Sequence, residues 1–160
     1  MVLLKLKSYF QTIAITITGL ITIAIIVGAI LGITHRNNES SYQEIDTPIN
    51  LSISQLNEHQ GEAYLVLRRT GCKHCEQMES TIVPKVKQLR KKGKRVYVLD
   101  LAKMDKKQLS YIAKSFPVLL VDQNRIKTPT VAKITSLGNH WLVVKFDNTN
   151  SKANISEVLK

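Results

Sequence analysis

The sequence predicts an α/β domain, with a mixed sheet flanked by helices, preceded by one N-terminal transmembrane helix. One observation behind this prediction is that no residue from Ser8 to Thr34 is charged, although the chain of 160 residues contains 23 Lys and Arg and carries a formal net charge of +11. The other is the order of the elements that follow, which is strand, helix, strand, helix and hairpin. This length allows one ordinary domain with an appendage and excludes a multidomain enzyme.

The uncharged stretch contains Ile13–Ile33, in which no residue is more polar than threonine. A helix of that length spans about 30 Å, the thickness of the hydrocarbon core of a bilayer. A cleaved signal peptide is the alternative, but its apolar core is usually about 7 to 15 residues long and ends at a small-residue cleavage site. The exit sequence Gly32–Arg36 has no such site. We therefore expect residues 1–34 to be an uncleaved signal anchor that contacts membrane lipid through residues 13–33.

The charges that flank this segment predict its orientation. Lys5 and Lys7 precede it, and Arg36 follows it closely. The positive-inside rule then places the N-terminus in the cytoplasm and the rest of the chain outside the cell membrane, as a single-pass protein. Residues 35–47 are polar and without periodicity, so we expect a spacer there and a folded domain over residues 48–160.

The first elements of this domain surround its two cysteines. Ala63–Arg68 is an apolar run of strand length, and a helical pattern begins at Cys72. Pro84 lies inside that pattern and predicts a kink or a restart, while Gly93 is a suitable C-terminal cap. One apolar face of the helix is formed by Cys75, Met78, Ile82, Val86 and Leu89.

The later elements complete the α/β order. They are a strand over Arg95–Leu101, a helix from the capping box Asp105–Gln108 to Phe116, two strands over Val131–Leu137 and Trp141–Phe146 joined through Gly138-Asn139, and a short helix within Asn154–Lys160.

The motif Cys72-Lys73-His74-Cys75 carries the chemistry. Residues three apart on a helix lie about 5 to 6 Å from each other, which suits a disulfide. Cys72 is expected at the helix N-terminus, where the helix dipole lowers a thiol pKa, and Lys73 and a protonated His74 add positive charge. Because the thiolate is the attacking species, Cys72 is the expected nucleophile. Cys75 lies on the apolar face and is expected to be the buried, resolving cysteine.

Three other uses of a cysteine pair compete with a redox role. A zinc site needs about four ligands, and only scattered histidines could join these cysteines. A c-type haem site needs a histidine directly after the second cysteine, where Glu76 stands. A purely structural disulfide stays open, although so small a loop restricts the unfolded chain little. We expect redox chemistry here, without a metal or a cofactor.

Taken together, these elements resemble the thioredoxin fold over roughly residues 48–160. In that family a cis-proline precedes the penultimate strand and faces the cysteine pair, and Thr128-Pro129 has a similar order and context. The resemblance implies that Pro129 is cis and that Thr128 offers its backbone to an extended substrate segment. An ordinary turn proline is the alternative, because cis is a minority state at X–Pro bonds.

Within this fold the chain is similar to small Gram-positive proteins of the bacteriocin transport accessory type, which share the sequence Thr-Gly-Cys that leads into the motif. It departs from thioredoxins in two places. Gly71 replaces the tryptophan that precedes their motif, and strand Ala63–Arg68 lacks their buried aspartate. His74 is similar to the histidine of the periplasmic disulfide oxidants. We expect a potential toward the oxidising end of the range from about −270 to about −120 mV.

The resemblance implies a membrane-tethered extracytoplasmic thiol–disulfide oxidoreductase, acting as an oxidase or isomerase rather than a reductase. Its partners would be an exported cysteine-containing polypeptide, of the bacteriocin type, and a membrane or extracellular redox partner. The alternative is a non-catalytic thioredoxin-like module that binds an exported peptide or its transporter. No nucleic-acid partner is expected, because the basic cluster between Lys85 and Arg95 has no interleaved aromatic platform.

Overall fold

The computed structural model describes residues 22, 23, 25, 26, 41–58, 60–122, 125–138 and 140–160. Most of the predicted membrane segment Ile13–Ile33 therefore lies outside the described residues. Its four described residues are helical. Within the described part of the chain, no helix is both long enough and apolar enough to cross a membrane. The chain divides between Glu39 and Ser40 into two units, and the second contains the predicted domain.

The second unit contains the predicted strand, helix, strand, helix, hairpin and short final helix. It also contains two helices before the first strand and two short strands before the hairpin, which the sequence did not predict. Its helices are α1 (Tyr42–Ile45), α2 (Ile49–Glu58), α3 (Lys73–Lys91), α4 (Lys106–Ser115) and α5 (Lys152–Val158). Its strands are β1 (Glu62–Arg68), β2 (Val96–Asp100), β3 (Leu120–Val121), β4 (Arg125–Ile126), β5 (Thr130–Leu137) and β6 (His140–Asp147).

Four of these strands form one mixed sheet in the order β2-β1-β5-β6. Strand β1 lies parallel to β2 and antiparallel to β5, and β5 and β6 form the predicted antiparallel hairpin. The short strands β3 and β4 form a separate two-stranded ribbon. The parallel pairing of β1 and β2 places their carboxyl ends side by side, with Arg68 opposite Asp100. That edge of the sheet is where the cysteine motif begins.

The sheet separates two apolar clusters. Side chains of a strand point alternately to its two faces, so Tyr64 and Val66 of β1 pack against α1, α3 and α5, while Leu65 and Leu67 pack against α2 and α4. All four of these residues are buried. Cys75, the second cysteine of the motif, belongs to the first cluster.

Helix α3 runs unbroken through Pro84, so the restart expected there does not occur. Pro84 lacks the N–H that would bond the carbonyl of Ser80, but both residues are exposed. Water can solvate that carbonyl, which makes the proline tolerable. The helix ends as predicted, with Gly93 in the left-handed region at a φ of 72° and with its N–H donating to the carbonyl of Arg90 at 3.0 Å.

Residues 41–47 fall in the segment predicted as a spacer, yet they pack on the domain. Tyr42 and Ile45 of α1 are buried. The backbone N–H of Thr47 donates to the carbonyl of Val98 at 2.9 Å, and its hydroxyl accepts the N–H of Val98 at 3.0 Å. A helix of one turn offers a single apolar pair, which is too short for a periodic pattern to be recognised.

Candidate active site

Cys72 is the N-cap residue of helix α3. Strand β1 ends at Arg68, and the turn that follows uses Gly71 at a φ of 73°, a conformation that favours glycine. Cys72 itself has extended backbone angles, and its sulfur accepts the backbone N–H of Cys75 at 3.3 Å. The sequence therefore places a thiol where an N-cap oxygen usually lies, at the positive end of the helix dipole.

The half-buried Cys72 thiol is the more acidic of the pair. Burial alone raises a thiol pKa, because it disfavours the charged form. At Cys72 this is outweighed by hydrogen bonds from the Cys75 thiol, from the Thr128 hydroxyl and from backbone N–H groups at the start of the helix, so that the pKa of Cys72 is lowered. A thiol of this kind carries more thiolate at neutral pH, and the thiolate is the form that attacks a disulfide.

Cys75 has the opposite character. It is 2% exposed and lies one turn into the helix, within the apolar cluster beneath α3. Burial, followed by its hydrogen bond to Cys72, raises the pKa of the Cys75 thiol to about 12. Both cysteines are free thiols in the structure. The pair thus consists of one accessible sulfur that ionises readily and one buried sulfur that does not.

Thr128 and Pro129 lie against this pair, although they follow it by more than fifty residues in the chain. The Thr128–Pro129 peptide bond is cis, as the resemblance implied. The Thr128 hydroxyl donates to Cys72 Sγ at 3.4 Å, and the Thr128 carbonyl oxygen lies 3.5 Å from the same sulfur. Strand β5 begins directly afterwards at Thr130 and pairs with β1, which brings this loop to the cysteines.

Lys73 and His74, which the sequence predicts to tune the thiol, are exposed residues at the start of α3. The backbone N–H of His74 is among the groups that lower the pKa of Cys72. The structure therefore brings together Cys72, Cys75 and Thr128-Pro129, and it leaves Lys73 and His74 on the solvent side of the helix start.

Asp100 holds the turn that leads into the motif. It is the last residue of β2, 2% exposed, and its carboxylate accepts the Thr70 backbone N–H at 3.0 Å and the Thr70 hydroxyl at 2.5 Å. It also accepts the N–H of Ala102 at 3.1 Å. Burial opposes ionisation of Asp100, but these hydrogen bonds and the charge of Arg68 outweigh it and lower its pKa. The ionised carboxylate fixes the turn two residues before Cys72.

Arg68 connects Asp100 to Asp46, in the segment that precedes α2. Its side chain is only 6% exposed, and it lies 3.3 Å from Asp100 and forms a bidentate pair with Asp46. It also donates to the Thr70 hydroxyl at 3.2 Å, and its guanidinium carbon lies 5.2 Å from the centre of the Tyr42 ring. Burial opposes the charge, but the Asp46 carboxylate outweighs it, so that the pKa of Arg68 is raised. One buried cation thus links α1, the motif turn and the end of β2.

These supporting residues were not recognised in the sequence. A usable pattern exists for Asp100, because strands predicted to be parallel bring their last residues to one edge of the sheet. No pattern exists for Asp46 or Tyr42, because both lie in the segment assigned to a spacer. Arg68 was included in a predicted strand, but only its tertiary partners explain why a charged residue there is buried.

Comparison with known proteins gives similarity of structure alone. No protein-family model matches the chain, and no curated protein matches it. Among solved structures it is similar to a thioredoxin of Plasmodium falciparum, at 16% identity over 66% of this chain and 75% of that chain with a TM-score of 0.41. It is also similar to a thioredoxin of Trichomonas vaginalis, at 11% identity over 71% of this chain and 90% of that chain with a TM-score of 0.48. A thioredoxin of Thermus thermophilus is similar at 16% identity over 70% of this chain and 81% of that chain, with a TM-score of 0.47.

The fold can be classified from the arrangement within this chain. The central sheet has the strand order β2-β1-β5-β6. It brings the loop with the cis-proline, which precedes β5, to the cysteine pair at the start of α3. The domain over the described residues from 41 onward is therefore a mixed α/β sheet flanked by helices, of the thioredoxin-like kind.

Proposed function

We propose that the protein is a membrane-tethered, extracytoplasmic thiol–disulfide oxidoreductase that exchanges disulfides with exported polypeptides through Cys72 and Cys75. The observation that carries this proposal is the contrast between two neighbouring thiols. Cys72 is half-buried at the helix start, where its sulfur accepts the Cys75 N–H at 3.3 Å and the Thr128 hydroxyl at 3.4 Å, whereas Cys75 is 2% exposed. The pKa of Cys72 is lowered and that of Cys75 is raised accordingly. A passive structural disulfide needs no such difference. A nucleophile and a resolving thiol do, because only one sulfur should attack first.

In the oxidising direction, a thiolate of the client attacks Cys72 Sγ of the Cys72–Cys75 disulfide. The Cys72–Cys75 bond breaks, Cys75 leaves as a thiolate, and a client–Cys72 mixed disulfide forms. A second client thiolate then attacks the client sulfur of that bond and releases Cys72. The client loses two electrons and gains a disulfide, and the protein gains the two electrons as a dithiol. The reverse sequence reduces a client disulfide through the same intermediate.

The oxidising direction is favoured by the stabilised Cys72 thiolate. Interactions that stabilise this thiolate also stabilise the reduced protein, and a pair whose reduced form is stable is a stronger oxidant. The hydrogen bonds from Thr128 and from the helix N-terminus are the interactions of this kind. A membrane or extracellular redox partner would then reoxidise the pair, since one pair can only exchange disulfides.

The tether and the client are further parts of the proposal. The uncharged stretch from Ser8 to Thr34, with Lys5 and Lys7 before it, supports a single-pass anchor whose N-terminus is cytoplasmic. The sequence Thr70-Gly71-Cys72, which resembles that of bacteriocin transport accessory proteins, supports a cysteine-containing exported peptide as the client. A loop carrying Thr128 beside Cys72 supports an extended peptide segment as the form in which the client binds.

The chemistry is tested on the full-length protein in detergent. The Cys72–Cys75 couple is equilibrated with glutathione buffers to measure its reduction potential. Thioredoxin has a potential of about −270 mV, and we expect a value well above it for this protein. A reduced client peptide should gain a disulfide with the wild type and not with Cys72→Ser. A potential near that of thioredoxin would overturn the proposed oxidising direction. A cysteine pair that does not exchange with glutathione would overturn the proposal that the protein is an oxidoreductase.

The biological setting is tested in cells that produce the exported client. Cys72→Ser should lower the disulfide content of the client, while the amount of the substituted protein in the cells stays equal to that of the wild type. If the substitution has no effect but deletion of the domain abolishes export, the protein is a binding module instead. Protease added outside intact cells should digest the domain, and full protection would contradict the proposed topology.

A further inference from the structure

Two tyrosine hydroxyls are buried without a hydrogen-bond partner among the residues that the structure describes. Tyr42 is 5% exposed and Tyr97 is 3% exposed. They lie on opposite faces of the sheet, since Tyr42 belongs to the apolar cluster that contains Cys75 and Tyr97 belongs to the other cluster. A buried hydroxyl without an acceptor is unfavourable. Tyr42 lies between Arg68 and Glu79, which follows Cys75 by one turn of α3, and it shares its cluster with that sulfur, whereas Tyr97 does not.

Tyr42 is held firmly in this position. Its backbone N–H donates to Glu79 Oε1 of helix α3 at 2.6 Å, and the Arg68 guanidinium carbon lies 5.2 Å from the centre of its ring. A cation over the face of a phenol draws electron density from the ring and makes the hydroxyl a better hydrogen-bond donor. The residue is therefore fixed by α3 on one side and polarised by Arg68 on the other.

The hydroxyl keeps its proton under physiological conditions. Burial raises the pKa of Tyr42 first of all, and the nearby charge that a Cys75 thiolate would carry raises it further. The ionised forms of Tyr42 and Cys75 thus disfavour each other across the cluster they share. The Tyr42 O–H is thus a neutral donor without an acceptor, in the same cluster as a sulfur that becomes negative during exchange.

The other buried polar groups of this cluster are already occupied. The hydroxyl of Tyr64 donates to the carbonyl of Lys160 at 2.5 Å. The carboxylate of strand β1, Glu62, is exposed and pairs with Lys133 at 2.8 Å. The remaining buried members of the cluster, among the described residues, are apolar side chains besides Cys75 itself. Among the described residues, Tyr42 is the uncommitted donor of the cluster that contains Cys75, a thiol whose negative form the apolar surroundings disfavour.

We propose that the Tyr42 hydroxyl donates a hydrogen bond to Cys75 Sγ whenever that sulfur carries negative charge during disulfide exchange. This inference rests on the proposed function. When the Cys75 thiolate attacks Cys72 Sγ of a mixed disulfide, the Cys72–Cys75 bond forms, the Cys72–client bond breaks, and the client sulfur leaves with the electron pair and takes a proton from water. Tyr42 keeps its own proton throughout. In the oxidising direction the same hydrogen bond stabilises Cys75 as the leaving thiolate.

The inference is tested with the reduced full-length protein in detergent and one equivalent of Ellman's reagent. Attack by Cys72 releases the first thionitrobenzoate in a bimolecular phase. Attack by Cys75 on the resulting mixed disulfide releases the second in a unimolecular phase, which Cys75→Ser should abolish. In Tyr42→Phe the second phase should be at least about tenfold slower, as expected for loss of a hydrogen bond to a charged sulfur, while the first phase keeps its rate.

Tyr97→Phe is the matched control, because it removes an equally buried and equally unpartnered hydroxyl from the opposite face of the sheet. Its two phases should both equal those of the wild type. Neither substitution removes a hydrogen bond present in the structure, so both variants should fold, and equal melting temperatures would confirm it.

The inference is overturned by a second phase in Tyr42→Phe that is as fast as in the wild type, or by an equal slowing of that phase in Tyr97→Phe. Failure of the proposed function would look different, because the wild type itself would then release no second equivalent. A Tyr42→Phe variant whose first phase is slowed as much as its second would assign Tyr42 a structural role and also contradict the inference.

Discussion

Replacing Arg68 with leucine should destabilise the domain far more than the same change at the adjacent Arg69. Arg68 is buried between Asp46 and Asp100, whereas Arg69 is exposed. The leucine keeps much of the apolar volume and removes the charge. The comparison between these two neighbours therefore isolates the effect of removing a buried cation.

The magnitude follows from what remains after the substitution. Asp100 is 2% exposed and would lose the guanidinium at 3.3 Å, and breaking a buried ion pair in this way costs about 3–5 kcal/mol. Lys103 still lies 3.7 Å from Asp100 and 3.4 Å from Asp46, but its side chain is 59% exposed and compensates weakly. We expect a loss of about 3 kcal/mol for Arg68→Leu, and less than about 0.5 kcal/mol for Arg69→Leu.

The effect should depend on pH in a defined direction. Since the pKa of Asp100 is lowered in the folded protein, its contribution to stability is present above the unfolded value of 3.8 and is lost as pH falls through the folded pKa. Without Arg68 the folded pKa of Asp100 rises, so acid unfolding begins at a higher pH. The difference in stability between wild type and Arg68→Leu should shrink once the carboxylates are protonated.

The assay is urea unfolding of the full-length protein in a non-denaturing detergent, followed by the fluorescence of Trp141. This is the single tryptophan of the chain, and its ring packs near Phe116 in the cluster beneath α2 and α4. Equal stabilities of Arg68→Leu and Arg69→Leu would refute the reasoning. So would a large difference that stays constant from neutral to acidic pH, because it would then come from packing and not from charge.

Three further predictions concern the cysteines and the fold. Thr128→Val removes the hydroxyl that donates to Cys72 Sγ at 3.4 Å, and it should raise the pKa of Cys72 by up to about one unit, measured from the pH dependence of alkylation. Thr135→Val, near the far end of β5, is the control and should leave that profile unchanged. Because the pKa of Cys75 is raised to about 12, brief treatment of the dithiol protein with iodoacetamide at neutral pH should modify Cys72 alone, as read by peptide mass mapping; equal labelling of both would contradict the assignment of roles. Asp105→Ala removes the capping box of α4 and should lower the free energy of unfolding by about 1 kcal/mol, while Asp105→Asn, which keeps an N-cap acceptor, should cost clearly less.

Several parts of the fold and site were predictable because they depend on local sequence. The capping box at Asp105, the turn at Gly138 and the helix that begins after Cys72 are each specified by a few adjacent residues, and the structure has all three. The position of Cys75 on the apolar face of the helix likewise predicted a buried thiol, which the structure confirms. The cis form of Pro129 came from resemblance, since an X–Pro sequence alone favours trans.

By itself, then, the sequence determined the order of the elements, the place of the cysteine pair at a helix start and the uncharged N-terminal segment, because each depends on residues within a few turns of chain. Only the tertiary structure decided what surrounds the pair. Thr128 reaches Cys72 through the pairing of β5 with β1, Asp100 reaches Thr70 through the parallel pairing of β1 with β2, and Tyr42 reaches the Cys75 cluster through the docking of α1. Such contacts join residues that lie far apart in the chain. They depend on strand register and on packing, which no local pattern encodes.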